Sequence, residues 1–170
     1  YVADWYHDAI VMLDTANGKV LTQVVVGKAP GGVQLSRDGT TLYVANRDSN
    51  DVSVIDTRSA RELHRIPVGQ HPFGLNISPD GKQLYVVNVF SNSVSVMDTV
   101  TDQVTATIAV GDHPYCVVAD PEGKRLFVTN TGEDSISVID LSTQKQIHKF
   151  RVPGKPEGIA FDAKHQQELI

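Results

Sequence analysis

The chain has 170 residues, 41% of them hydrophobic and 21% charged, with a formal net charge of -5 and a pI near 5.6. That length supports one ordinary globular core, the composition is neither collagenous nor disordered, and the acidic balance excludes a chain-wide pull toward nucleic acid or an anionic membrane. The single cysteine, Cys116, excludes an internal disulfide framework, and no CxxC or Cys/His ladder points to a zinc site.

In chain order the first element is YVADWYHDAIVMLD, which reads as strand rather than signal peptide. No initiator methionine precedes it, so the natural N-terminus is expected upstream. No apolar run approaches the roughly 18 residues of a membrane helix, so no membrane-spanning segment is expected. From there the sequence recurs with a step of 42 residues: Gly27, Gly69 and Gly111; Pro30, Pro72, Pro114 and Pro156; Gly39, Gly81 and Gly123; Asn46, Asn88 and Asn130; Asp14, Asp56, Asp98 and Asp140. The recurrence divides the chain into a partial unit at 1–27, whole units at 28–69, 70–111 and 112–153, and a partial unit at 154–170.

Within one unit, 73–78, 83–88, 93–98 and 104–110 are short runs rich in Val, Ile, Tyr and Thr, separated by PDG, FSN and TVTD. Asp80-Gly81 suits a tight hairpin in which glycine accepts positive φ, and Thr101-Asp102 suits a second turn. Asn88 and its equivalents end the second strand, where a short amide can bond leftover backbone groups. The recurring aspartates read as blade architecture rather than a catalytic set. LYVVN and VSVMD lack polar alternation, as strands buried on both faces do. No segment holds a helical period.

Four antiparallel strands per 42 residues predict an all-β fold, a β-propeller of four-stranded blades. The motifs YVAN, YVVN and FVTN, with S-P-D-G-K before and V-S-V-I-D-T after, resemble the YVTN-repeat β-propeller family. That family is similar to the lactonase, surface-layer, haem-d-type nitrite reductase and quinohaemoprotein propellers, which share blades and differ in chemistry. The resemblance implies a periplasmic, secreted or cell-surface setting. Rings of such blades usually close with about six to eight of them, so four units are expected to belong to a larger ring, seven-bladed or half of an eight-bladed ring made by two chains. Glu157 to Asp162 could alternatively supply a missing innermost strand beside Tyr1 to Asp4. An open arc would expose apolar blade faces and invite self-association.

Function is expected where the units differ. The loops GKAPGG, GQHPFG, GDHPYC and PGKPEG join one blade to the next, and DWYHDA, NRDSND, NVFSNS and NTGEDS join second strands to third. Both classes gather at one mouth of the tunnel. They place Trp5, Tyr6, Arg47, Phe90, Phe73 and Tyr115 with His71, His113 and Lys155, a set able to grip a planar or sugar-like ligand by stacking and polar contacts. A small ligand, glycan or protein is the expected partner, and no nucleic acid is. His71 and His113 occupy equivalent places one blade apart, where they could share a metal or haem iron or simply bond neighbouring carbonyls. Cys116 stands where Gly32, Gly74 and Gly158 recur and is expected to fill space near the tunnel; His64 and His148 fall on outer strands as surface residues.

No nucleophile elbow, metalloprotease motif, P-loop or dinucleotide fingerprint is present. A lactonase-like site would want carboxylates and amides converging on a cation; Asn76, Asp120 and Asp162 lie on or after innermost strands, but Val118 and Ala160 fill the places equivalent to Asn76. No CxxCH haem attachment occurs. Two readings follow: a non-catalytic binding propeller, or the propeller part of a haem- or metal-dependent oxidoreductase or lactonase-type hydrolase. The sequence names no cofactor.

Overall fold

A computed structural model of the chain describes residues 1–162. All regular structure among them is β-strand, in four antiparallel sheets. The first blade holds three strands, β1 (Val2–Asp4), β2 (Ala9–Leu13) and β3 (Val20–Val25). The second holds β4 (Pro30–Leu35), β5 (Thr41–Asn46), β6 (Asp51–Asp56) and β7 (Arg61–Pro67). The third holds β8 (Pro72–Ile77), β9 (Gln83–Asn88), β10 (Ser93–Asp98) and β11 (Gln103–Ala109), and the fourth β12 (Pro114–Ala119), β13 (Arg125–Asn130), β14 (Ser135–Asp140) and β15 (Lys145–Arg151). Each expected strand of the repeat forms within a residue of its sequence boundary.

The turn chemistry explains the meander. Gly39, Gly81 and Gly123 take φ of 73°, 76° and 67° at the hairpins joining first strands to second, a conformation that glycine adopts without a Cβ penalty. At the neighbouring hairpins, which join third strands to fourth at the same end of each blade, the recurring aspartates act locally. Asp98 Oδ1 accepts from the N–H groups of Val100 and Thr101, and Asp56 and Asp140 do the same for Ser59 and Thr143. The Ser59 hydroxyl on Asp56, the Ser142 hydroxyl on Asp140 and the backbone N–H bonds favour the charged form and hold these carboxylates below the usual range. They are turn residues, as their recurrence implies.

The core lies between blades. Ile10, Val24 and Val26 of the first meet Leu42, Val44 and Ile55 of the second. Tyr43, Val52 and Val54 on the other face of the second meet Leu84, Val86 and Met97 of the third, and Tyr85, Val87 and Val94 meet Leu126, Val128 and Ile139 of the fourth. Alternate residues of one middle strand therefore serve two interfaces, which is why β9 is buried from Leu84 to Asn88 without polar alternation. The amides ending the second strands lock each blade. Buried Asn88 donates Nδ2 to the hydroxyls of Ser93 (3.1 Å) and Ser95 (2.9 Å) and accepts from the Gly69 N–H (3.1 Å); Asn130 repeats this with Ser135, Ser137 and Gly111.

Innermost strands approach one another so closely that a Cβ on Gly32 would lie 2.1 Å from the Phe73 carbonyl oxygen, and one on Gly74 2.5 Å from that of Tyr115. Cys116 takes this place in the fourth blade, and beside it residues 152–162 run without strand structure. In the described residues β1 pairs with β2, and Glu157 to Asp162 form no strand alongside it. The remainder of the 154–170 unit lies outside the described residues. No helix among the described residues is long and apolar enough to cross a membrane.

Candidate ligand-binding rim

The two loop classes meet at one end of the blades because backbone bonds sew them together. Within the second blade the N–H groups of Arg47 and Asp48 donate to the carbonyls of Ala29 and Lys28; within the third, those of Val89 and Phe90 donate to His71 and Gln70; within the fourth, those of Thr131 and Gly132 donate to His113 and Asp112. Side chains then tie one blade to the next. Asp8 accepts the Ala29 N–H (2.8 Å), Asn50 that of His71 (2.9 Å) and Asn92 that of His113 (3.0 Å). Ala29, His71 and His113 all hold φ between 47° and 52°, and so do their caps Asp8 and Asn92, at 52° and 49°. A cap plus the two return bonds over-determines such backbone.

On this frame the irregular residues assemble. The Arg47 guanidinium lies 5.5 Å from the Trp5 ring centroid and 5.9 Å from that of Phe90, and its Nη1 pairs with Asp48 at 2.7 Å. Phe90 stacks on His71 with centroids 4.0 Å apart and planes inclined by 22°, and meets His113 edge-on at 5.7 Å. Trp5, Arg47, Phe90, His71 and His113, drawn from four blades, thus form one continuous row of planar groups. Phe90 is 52% exposed and Trp5 37%, so the row presents ring surface to solvent.

The other sequence candidates sit around the row. Tyr6 projects into solvent, 91% exposed, beside Trp5. Phe73 and Tyr115 lie deeper, half-buried on β8 and β12, in the bulges that interrupt pairing after Pro72 and Pro114. Their rings pack together at 4.5 Å, and Phe73 fills the space over Gly31. Lys155 is exposed in the loop after β15. His113 Nδ1 bonds Asp112 at 3.0 Å, whereas His71 Nδ1 is buried without a hydrogen-bond partner. Among the described residues no three His, Cys, Asp or Glu side chains gather where they could hold a metal ion, so the two imidazoles do not by themselves compose a metal site.

Two contributors escaped the sequence reading. Asx residues at 8, 50, 92 and 134 carried a readable signal, a recurrent Asp or Asn at the loop end, and the first three cap the rim. His64 looked like a plain surface residue, yet its Nε2 reaches Asp102 of the next blade at 2.9 Å, an outer strap with no local signature.

Comparison with known proteins agrees with this architecture. The chain is similar to Kuenenia stuttgartiensis hydrazine synthase, with 31% identity and a TM-score of 0.81 over 89% of this chain and 45% of that one. It shares its fold with a functionally unknown protein from Desulfotomaculum acetoxidans, with 16% identity and a TM-score of 0.71 over 84% of this chain and 49% of the other. The chain therefore spans about half the length of these solved structures. No curated protein matches it. The family model described as lactonase, 7-bladed beta-propeller matches residues 10–110, more than half of the sequence. On that match the chain belongs to the lactonase seven-bladed β-propeller family.

Proposed function

We propose that this chain contributes a non-catalytic binding surface, in which the planar row at the rim holds a small flat or sugar-like ligand, a glycan, or a protein presenting one. The observation that carries the reading is the Trp5, Arg47, Phe90, His71 series, whose members come from places that vary between the units and all meet at one place. Architecture alone does not call for them: the places equivalent to Phe90 hold Tyr6, Asp48 and Gly132, and Trp5 and Arg47 share a place that Val89 and Thr131 fill in the third and fourth blades. Flat rings with one face in solvent offer a ligand large contact area with little side-chain entropy to lose. Arg47, the imidazoles and Lys155 add donors at the margin. The periplasmic or cell-surface setting belongs to the same proposal.

Trp5 is the only tryptophan, so its fluorescence reports on the rim directly. Ligand binding there shifts Trp5 emission, and Phe90→Ala abolishes the shift while leaving the fold intact. Saturable binding unaffected by Phe90→Ala and Arg47→Ala would place recognition elsewhere.

The likeness to hydrazine synthase favours a second reading, in which the propeller belongs to an oxidoreductase, or to a lactonase-type hydrolase, with haem or metal near His71 and His113. An absorption spectrum and metal analysis separate the two. A Soret band or stoichiometric metal, lost in the His71→Ala, His113→Ala double variant, supports the enzyme; chromophore-free and metal-free protein that still binds at the rim supports the binding role.

A further inference from the structure

At the other end of the blades, beside the hairpins joining first strands to second, lies a pocket of about 390 Å³ whose lining includes Arg37, Asn76, Ile77, Val118, Asp120 and Phe161. That volume falls in the range of small-molecule sites, roughly 300–1,000 Å³. Its polar members come from places that vary between the units. Arg37 stands where the third and fourth blades carry Pro79 and Pro121, Asp120 where the second and third carry Ser36 and Ser78 and the last unit Asp162, and Asn76 between Gln34 and Val118.

Their architectural bonds leave capacity over. Arg37 makes one hydrogen bond among the described residues, from Nε to the Ser78 carbonyl (3.3 Å), and its terminal nitrogens have no partner among them. Asn76 Oδ1 accepts the Ala119 N–H (2.9 Å), while its Nδ2 donates to nothing in the described residues. Asp120 Oδ1 accepts the Lys124 N–H (2.7 Å), which leaves Oδ2. Arg37 and Asp120 line one pocket without forming an ion pair with each other, and Ile77, Val118 and Phe161 supply apolar wall between them. The proline found at the equivalent places covers the next hairpin without charge, as Pro79 does over Gly123. A guanidinium is therefore more than the architecture asks.

We propose that this pocket binds a small zwitterion with an apolar body, an α-amino acid. Arg37 and the Asn76 amide grip the carboxylate, Asp120 accepts the ammonium, and the side chain lies on the apolar wall. A fork of guanidinium donors suits a carboxylate, and charge-assisted contacts of opposite sign fix the orientation of a zwitterion. The site is independent of the rim and stands or falls separately from it.

The test uses the whole chain and L-leucine as the probe, with binding followed by ligand-observed NMR and calorimetry. Leucine should saturate the protein in the millimolar range or below, and 4-methylpentanoate and 3-methylbutylamine, each lacking one charge, should bind about tenfold or more weakly. Arg37→Met and Asp120→Ser should each lower leucine affinity by a similar factor; the serine restores the residue of the other blades, so the fold is retained. No saturation by leucine in folded wild-type protein, or undiminished binding in both variants, overturns the proposal.

Discussion

Phe90 lies stacked on His71 at 4.0 Å because the Phe90 N–H donates to the Gln70 carbonyl and the Val89 N–H to that of His71. Two loops of one blade are sewn together by their backbones, and the stacked pair is what the sewing presents. Since Phe90 is 52% exposed, its ring contributes more to the surface it offers than to the core. Phe90→Ala is expected to cost only about 0.5–1.5 kcal/mol in urea unfolding, the scale of an aromatic pair, and to remove rim binding. A larger loss of stability would make Phe90 a structural cap.

The caps that set the histidine loops give a second expectation. Asn92 holds φ of 49° and accepts the His113 N–H at 3.0 Å. Asn92→Ala removes the acceptor and leaves a Cβ in the left-handed region, for an expected cost of about 1–3 kcal/mol. Asn92→Gly keeps the conformation and should recover part of it. Chemical denaturation of the two variants side by side distinguishes cap from backbone.

Asn88 is a different case because it is buried and binds three groups. Asn88→Ala strands the Gly69 N–H and two serine hydroxyls away from water, and a loss of about 2–4 kcal/mol follows. Thermal melts should show it as the most damaging of these single changes.

Much of this frame is legible in the sequence, and the reason is that it is local. Strands follow from β-branched runs and hairpins from Asp80-Gly81, each within a few residues, and the 42-residue step only repeats these local signals along the chain. Loop membership placed Trp5, Arg47, Phe90, His71 and His113 at one mouth for the same reason. What it did not reveal is order. That Arg47 lies between Trp5 and Phe90, that Phe73 covers Gly31, and that His64 reaches Asp102 depend on the angle between blades, which is set by packing across interfaces rather than by any spacing in the chain. Arg37 and Asp120 join one pocket by the same route.

Alkaline pH should find the blade interfaces. Burial pushes Tyr43 and Tyr85 up to about 12, with nearby carboxylates adding to the shift. A tyrosine near 10 when unfolded and near 12 when folded keeps its proton in the folded state where the unfolded chain has lost it, so stability is fully present below about pH 10 and falls as pH rises toward 12. Ultraviolet titration should show Tyr43 and Tyr85 keeping their protons until the pH approaches about 12 or the fold is lost. Ionisation of Tyr43 and Tyr85 near pH 10 in folded protein would contradict the packing of β5 and β9.

The most direct test of the rim is amide chemical-shift mapping of the whole chain against a set of monosaccharides and flat aromatic fragments. The account predicts that perturbations concentrate at Trp5, Arg47, Phe90, His71 and His113 and vanish in Phe90→Ala. Perturbations confined to other surfaces, or none at all with the rim folded, would contradict it.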